Sequence, residues 1–146
     1  MNSFPASRPS EIEDKRAIQK LTEAWLAAVR RKDIPALMNL ITEDVVFLPP
    51  GVPPVRGKAA VEAMFAGFFP QFSSIEQTAA TEEVIVAGDW AFAWGSETFT
   101  LVPPTGIVPI LLQGKGMSVL RRQSDGSWKF ARGINNLLPQ TAQQAR

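Results

Sequence analysis

The sequence predicts an α+β domain in which three helices pack on a curved, mainly antiparallel sheet. Three observations carry this. Apolar residues recur at three- and four-residue steps as far as about residue 69, then alternate with others after Ser74. Prolines and Gly-Asp or Asp-Gly pairs stand where those periods break. The 146 residues are 45% hydrophobic and lack cysteine, enough for one core that needs neither disulfide nor metal. We read residues 10–138 as a single domain, with 1–9 and 139–146 as flexible termini.

Ser10 and Glu13 have the spacing of a capping box, so the first helix is expected to start there. Ile18, Leu21, Trp25 and Ala28 give it one apolar face, and Arg30, Arg31 and Lys32 place positive charge at its C-terminal end. Asp33 reads as the N-cap of a short second helix that tolerates Pro35 in its first turn and buries Leu37, Leu40 and Ile41. Val45 to Leu48 is a short β-branched and aromatic strand, halted by the irregular run Pro49 to Pro54. Gly57 precedes a third helix, Lys58 to about Phe69, with Val61, Met64, Phe65 and Phe68 on one side and Pro70 ending it.

Four strands follow: Glu76 to Val86, Trp90 to Val102, Leu111 to Arg122 and Ser127 to Asn135. They turn at Gly88-Asp89, in a loop from Pro103 to Pro109, and at Asp125-Gly126. Alternation gives the second of these strands two unlike faces. Trp90, Phe92 and Trp94 share one; Ala91, Ala93, Gly95, Glu97 and Phe99 share the other, over whose small residues something must pack closely.

The charge balance of 15 basic against 14 acidic residues offers no electrostatic ground for a nucleic-acid or membrane partner. With no histidine, cysteine or tyrosine, proton chemistry must run on Asp, Glu, Lys or water. No cluster has metal-ligand spacing and no Gly-rich phosphate loop occurs, so neither metal nor tightly held cofactor is expected. No stretch resembles a signal peptide or a membrane span, and the cytoplasm is the expected compartment.

Glu97 is the sharpest candidate for catalysis. It stands inside a strand between aromatic neighbours, where burial raises a carboxyl pKa and makes it a usable acid or base. The alternatives are a cross-strand ion pair with Lys115 or a sheet-edge residue in water. Arg132 shares parity with Trp128 and Phe130, so it either reaches a ligand carbonyl from the apolar side or pairs with Glu97 or Glu83. Asn135 either orients a ligand or serves a local turn. Trp25, Phe47, Phe65, Phe68, Trp90, Phe92 and Trp94 form an aromatic set that either fills a core or lines an apolar ligand pocket.

The order of elements resembles the nuclear transport factor 2-like, or cystatin-like, fold, and within it the SnoaL-like proteins, including the branch related to the calmodulin-dependent kinase association domain. The resemblance rests on Ala24-Trp25-Leu26-Ala27-Ala28 with Asp33, and on the run from Asp44-Val45-Val46-Phe47-Leu48 through Pro49-Pro50-Gly51-Val52-Pro53-Pro54 to Arg56-Gly57-Lys58. Gly88-Asp89-Trp90-Ala91 and Leu120-Arg121-Arg122-Gln123-Ser124-Asp125-Gly126-Ser127-Trp128-Lys129 complete it. It implies a cone whose helices and sheet enclose an apolar pocket, and a homodimer formed through the outer sheet face. Relatives include isomerases, cyclases and dehydratases as well as proteins that only bind a ligand or assemble.

The residues that serve ketosteroid isomerases are not matched. Their general-base aspartate falls at Pro49 and their oxyanion-donating tyrosine at Trp25. An Arg-Asp-x-Trp-Asn run common near the end of the last strand is here Arg132-Gly133-Ile134-Asn135-Asn136. The expectation is therefore a pocket for a small apolar organic molecule. The alternatives are an acid–base enzyme using Glu97 and Arg132 without the usual steroid isomerase residues, and a purely assembling module.

Overall fold

The apolar stripe of the N-terminal segment forms α1 (Pro9–Arg31), with Ile18, Leu21, Ala28 and Val29 buried against the sheet. A computed structural model of the chain describes residues 9–105 and 108–140. The helix includes Pro9, so Ser10 lies inside its first turn rather than capping it; proline at a helix start loses no hydrogen bond. Asp33 caps α2 (Ile34–Met38) by accepting the Ala36 N–H at 3.1 Å, as its spacing predicts. α2 is shorter than expected, because Ile41 opens β1 (Ile41–Leu48) instead of closing the helix. The Pro-rich loop then leads through β2 (Val55–Arg56) to α3 (Lys58–Phe68), which continues as a single 3₁₀ turn, Phe69–Gln71. One of the three helices thus follows the first strands rather than preceding them all.

Four long strands complete the sheet: β3 (Ser74–Ala87), β4 (Trp90–Val102), β5 (Ile110–Arg122) and β6 (Trp128–Asn135). The order is β2-β1-β6-β5-β4-β3, antiparallel except where β1 runs parallel to β6. A last strand, β7 (Leu138–Pro139), pairs with β5 through Leu112↔Pro139, and the Gln140 N–H donates to Leu111 O. Residues 139 and 140 are therefore fixed to the sheet and not part of a loose tail; 1–8, 141–146 and Gly106 and Ile107 of the expected loop lie outside the described residues.

Bulges in β3 and β6 and one glycine bend this sheet, and a further break in register lies between Ile41 and Val46 of β1 where it pairs with β6. Glu82 is the extra residue of β3 opposite β4, and Ala131 that of β6 opposite β5. At Gly95 a Cβ would stand 2.0 Å from Ala80 O, so β3 folds over β4 more closely than any side chain there would permit. α1 crosses the concave side against β3 and β6, and α3 covers β1 and β2. The core gathers Ile18, Leu37, Ile41, Val45, Val61, Ile75 and Leu120 between the layers, each contributing roughly 1.5–3 kcal/mol by burial.

Candidate functional site

The concave side is not filled throughout. Beyond the packed core, α1, α3 and the sheet leave a cavity of about 470 Å³. Its aromatic wall is built around Trp25 of α1, whose ring meets Phe47, Phe65 and Phe130 at centroid distances of 5.8, 5.8 and 5.4 Å, all close to edge-on. Such contacts fix the ring planes and hold the wall in shape. The Trp25 indole N–H donates to Gln77 Oε1 at 3.1 Å, so its polar edge is satisfied by the opposite strand. Phe68 and Met64 extend the wall, and Leu48, Pro49, Pro50 and Val52 form the rim. Of the expected aromatic set, Trp25, Phe47, Phe65 and Phe68 line the cavity.

The facing wall is the small-residue side of β4 and its neighbours. Ala93, Gly95, Glu97 and Phe99 present this side, beside Gly116 and Ser118 of β5 and Gly133 and Asn135 of β6. Trp90 and Phe92 lie on the opposite face, 40% and 41% exposed, and have no part in the cavity. The strand period that puts the small residues inside puts these rings outside; Arg121 stacks on Trp90 at 5.2 Å. Trp94 stands at the boundary: it touches the cavity and a shallower outer depression, and its indole donates outward to Glu83 Oε1 at 2.9 Å.

Arg132 does not reach the cavity. The Ala131 bulge reverses parity along β6, so Phe130 points in, Arg132 points out, and Gly133 points in again. The guanidinium donates to Asp44 O at 2.9 Å and to Ala131 O at 2.6 Å, far from the carbonyl-polarising role its parity suggested. The expected pairing with Glu97 or Glu83 is absent as well. At Gly133, a Cβ would meet the Phe47 ring at 3.1 Å, so the ring takes the room a side chain would need.

Glu97 lines the cavity, and among the described residues no lysine or arginine does. Burial pushes its carboxyl above the usual carboxylate range, and no hydrogen bond or neighbouring charge opposes that shift. The expected pair with Lys115 does not form, because Lys115 has the outward parity of β5. Gly116 gives the carboxylate its seat: a Cβ there would lie 2.2 Å from Glu97 Oε1. Directly across the β5–β6 pairing from Gly116 stands Asn135, whose Oδ1 accepts the Leu137 N–H at 3.2 Å while the residue still borders the cavity. Both of its anticipated roles, local turn and cavity wall, are compatible with this position.

Sequence reasoning missed Gln77 and Ser118. The parity of Gly114 and Gly116 was the available signal for Ser118; Gln77 needed the β3–β4 register. Among the described residues no group of three or more acidic side chains is placed to hold a metal ion, and no helix is long and apolar enough to cross a membrane.

With the fold and this cavity in view, comparison with known proteins places the chain. The SnoaL-like domain family matches residues 22–131. The chain belongs to that family. Its fold is the nuclear transport factor 2-like one. A conserved protein from Planctomyces limnophilus is 32% identical over 88% of this chain and 99% of its own, with a TM-score of 0.83. A ketosteroid isomerase-like protein from Erwinia carotovora is 26% identical over 86% and 97%, at 0.75. A hexachlorocyclohexane dehydrochlorinase from Novosphingobium barchaimii shares the fold at 18% identity, covering 93% and 96%, with a TM-score of 0.79. No curated protein matches this SnoaL-like chain.

Proposed function

We propose that the SnoaL-like cavity takes up a small, largely apolar organic molecule and that Glu97 moves a proton on it. One observation carries this: among the described residues the carboxylate is the single ionisable group lining the cavity, and no cation of theirs is paired with it. A carboxylate drawn from water into apolar surroundings is a stronger base, and side chains that keep water out preserve that strength. Glu97 takes a proton from carbon or returns one, which suits an isomerisation, cyclisation or elimination. The dehydrochlorinase of like fold is named for an elimination. A module that only assembles has no use for an open interior with one acidic group, so the hollow favours chemistry.

The test uses 5-nitrobenzisoxazole, a neutral probe whose ring opens when a base removes its carbon-bound proton. The proton passes to Glu97, the N–O bond breaks, and a coloured nitrophenolate leaves. Wild type is expected to show saturable turnover that rises with pH as Glu97 ionises. Glu97→Gln should lose about 10²–10⁴-fold of it. Equal turnover in the variant, or none above buffer in wild type, overturns the proposal.

We also propose that a second copy of the chain covers the outer sheet face, the occupant the family resemblance implies. Ile85, Trp90, Phe92, Trp94, Met117 and Ile134 each stand 40–51% exposed on that side, an apolar surface of the kind that marks protein association. Sedimentation should find dimers at micromolar concentration and monomers for Phe92→Lys; a monomeric wild type would contradict it.

A further inference from the structure

We infer that the ligand carries a protonated amine, held against Glu97 with its apolar body among the rings around Trp25. The inference rests on the reading of the cavity as a ligand site and adds the chemical class of what enters it.

Charge inside the hollow is one-sided. Among the described residues Glu97 is the ionisable side chain that lines it; Lys115 and Arg132, on β5 and β6, are exposed on the outer face, Lys115 beside the outer depression. A buried carboxylate without a partner is a large local cost, and a cation brought by the ligand removes it. A ligand carboxylate or phosphate would meet that same oxygen pair with no donor cation to hold it, so anions are disfavoured by repulsion as well as desolvation. The opposite wall fits the same class. Its rings take the apolar body, with Trp25 tied by Gln77 to the strand that pairs with Glu97 through Ala79.

The polar surroundings of Glu97 are sparse in a way that suits a compact headgroup. Gly116 leaves room on the β5 backbone for the carboxylate, and Ser118 on the same face also borders the cavity with a hydroxyl that can accept an ammonium N–H. An ammonium in this position keeps Glu97 ionised. A neutral hydroxyl would be served as well by a protonated Glu97 and would gain nothing from the missing cation.

Three probes of one shape separate these cases: 2-naphthylmethylamine, 2-naphthalenemethanol and 2-naphthoate, each titrated calorimetrically near neutral pH into the intact protein. The amine should bind at least about tenfold more tightly than the alcohol, with no detectable binding of naphthoate. In Glu97→Gln the alcohol should still bind and the preference for the amine should disappear. An amine no tighter than the alcohol, or a preference that survives in Glu97→Gln, overturns the headgroup assignment. If the alcohol binds and Glu97-dependent opening of 5-nitrobenzisoxazole persists, only that assignment falls. If none of the three binds, the ligand cavity falls with it.

Discussion

Two carboxylates on the concave side of one sheet live under opposite conditions. Asp14, on α1, is met by Arg122 with two hydrogen bonds of 2.7 and 2.8 Å and by the Trp128 indole N–H at 3.3 Å. Arg122 also lies over the Trp128 ring at 4.5 Å and reaches Asp89 at 3.3 Å. The guanidinium's hydrogen bonds hold the Asp14 carboxyl below its usual range, although burial pulls the other way. Glu97 has no such company, and burial alone pushes it up. At one end the protein supplies both members of an ion pair and closes helix onto sheet. At the other it supplies one member and leaves space. The difference separates a charge used for cohesion from a charge kept available.

The strongest break in this comparison is Gly116→Ala. The added methyl would collide with the far end of the Glu97 side chain, which can swing aside, so the fold should stand. A carboxylate displaced by about 1 Å should cost proton transfer about 10²-fold, read as kcat on 5-nitrobenzisoxazole with urea stability nearly unchanged. Gly95→Ala is the contrast: its methyl would meet the Ala80 backbone, which cannot move alone, and little folded protein should be recovered.

Next in size is Arg122→Ala at the paired end. Asp14 and Arg122 side chains are 14% and 29% exposed, so their hydrogen bonds are only partly screened. Their loss should lower stability by about 2 kcal/mol in urea titrations while leaving ring-opening kinetics intact. The smallest effect is in the pH dependence of stability. Asp14, with a lowered folded pKa, contributes stability that is present above its unfolded value and lost as pH falls through the folded one. Glu97 has the reverse sign: its folded pKa is raised, so stability declines as pH rises from the unfolded value through the folded one. Urea midpoints from about pH 3 to about pH 8 should show Arg122→Ala flattening the acid limb and Glu97→Gln removing the decline at higher pH.

Much of this was legible in the residue order. The apolar spacing of Ile18, Leu21 and Ala28, the Asp33 cap and the alternation along Trp90 to Phe99 each follow from a local period or a local hydrogen bond. Glu97 could be singled out because its strand neighbours fix its face. Arg132 could not be placed, because its direction depends on Ala131 being accommodated against β5, a pairing between distant segments that leaves no mark in the local pattern. The tail through Leu138 and Pro139 was obscure for the same reason: its order comes from β5 and not from its own composition. Choosing which of the two faces of β4 bounds the hollow likewise required knowing where α1 lies.

The extra residue in β6 has a consequence for how this scaffold diversifies. Because Ala131 is the unpaired residue of the bulge, deleting that single codon would leave Phe130 and Arg132 consecutive and on opposite faces, so Arg132 would stay outside and Gly133 inside. A change of length at this one position therefore alters the bend of the strand and leaves the lining of the cavity as it is.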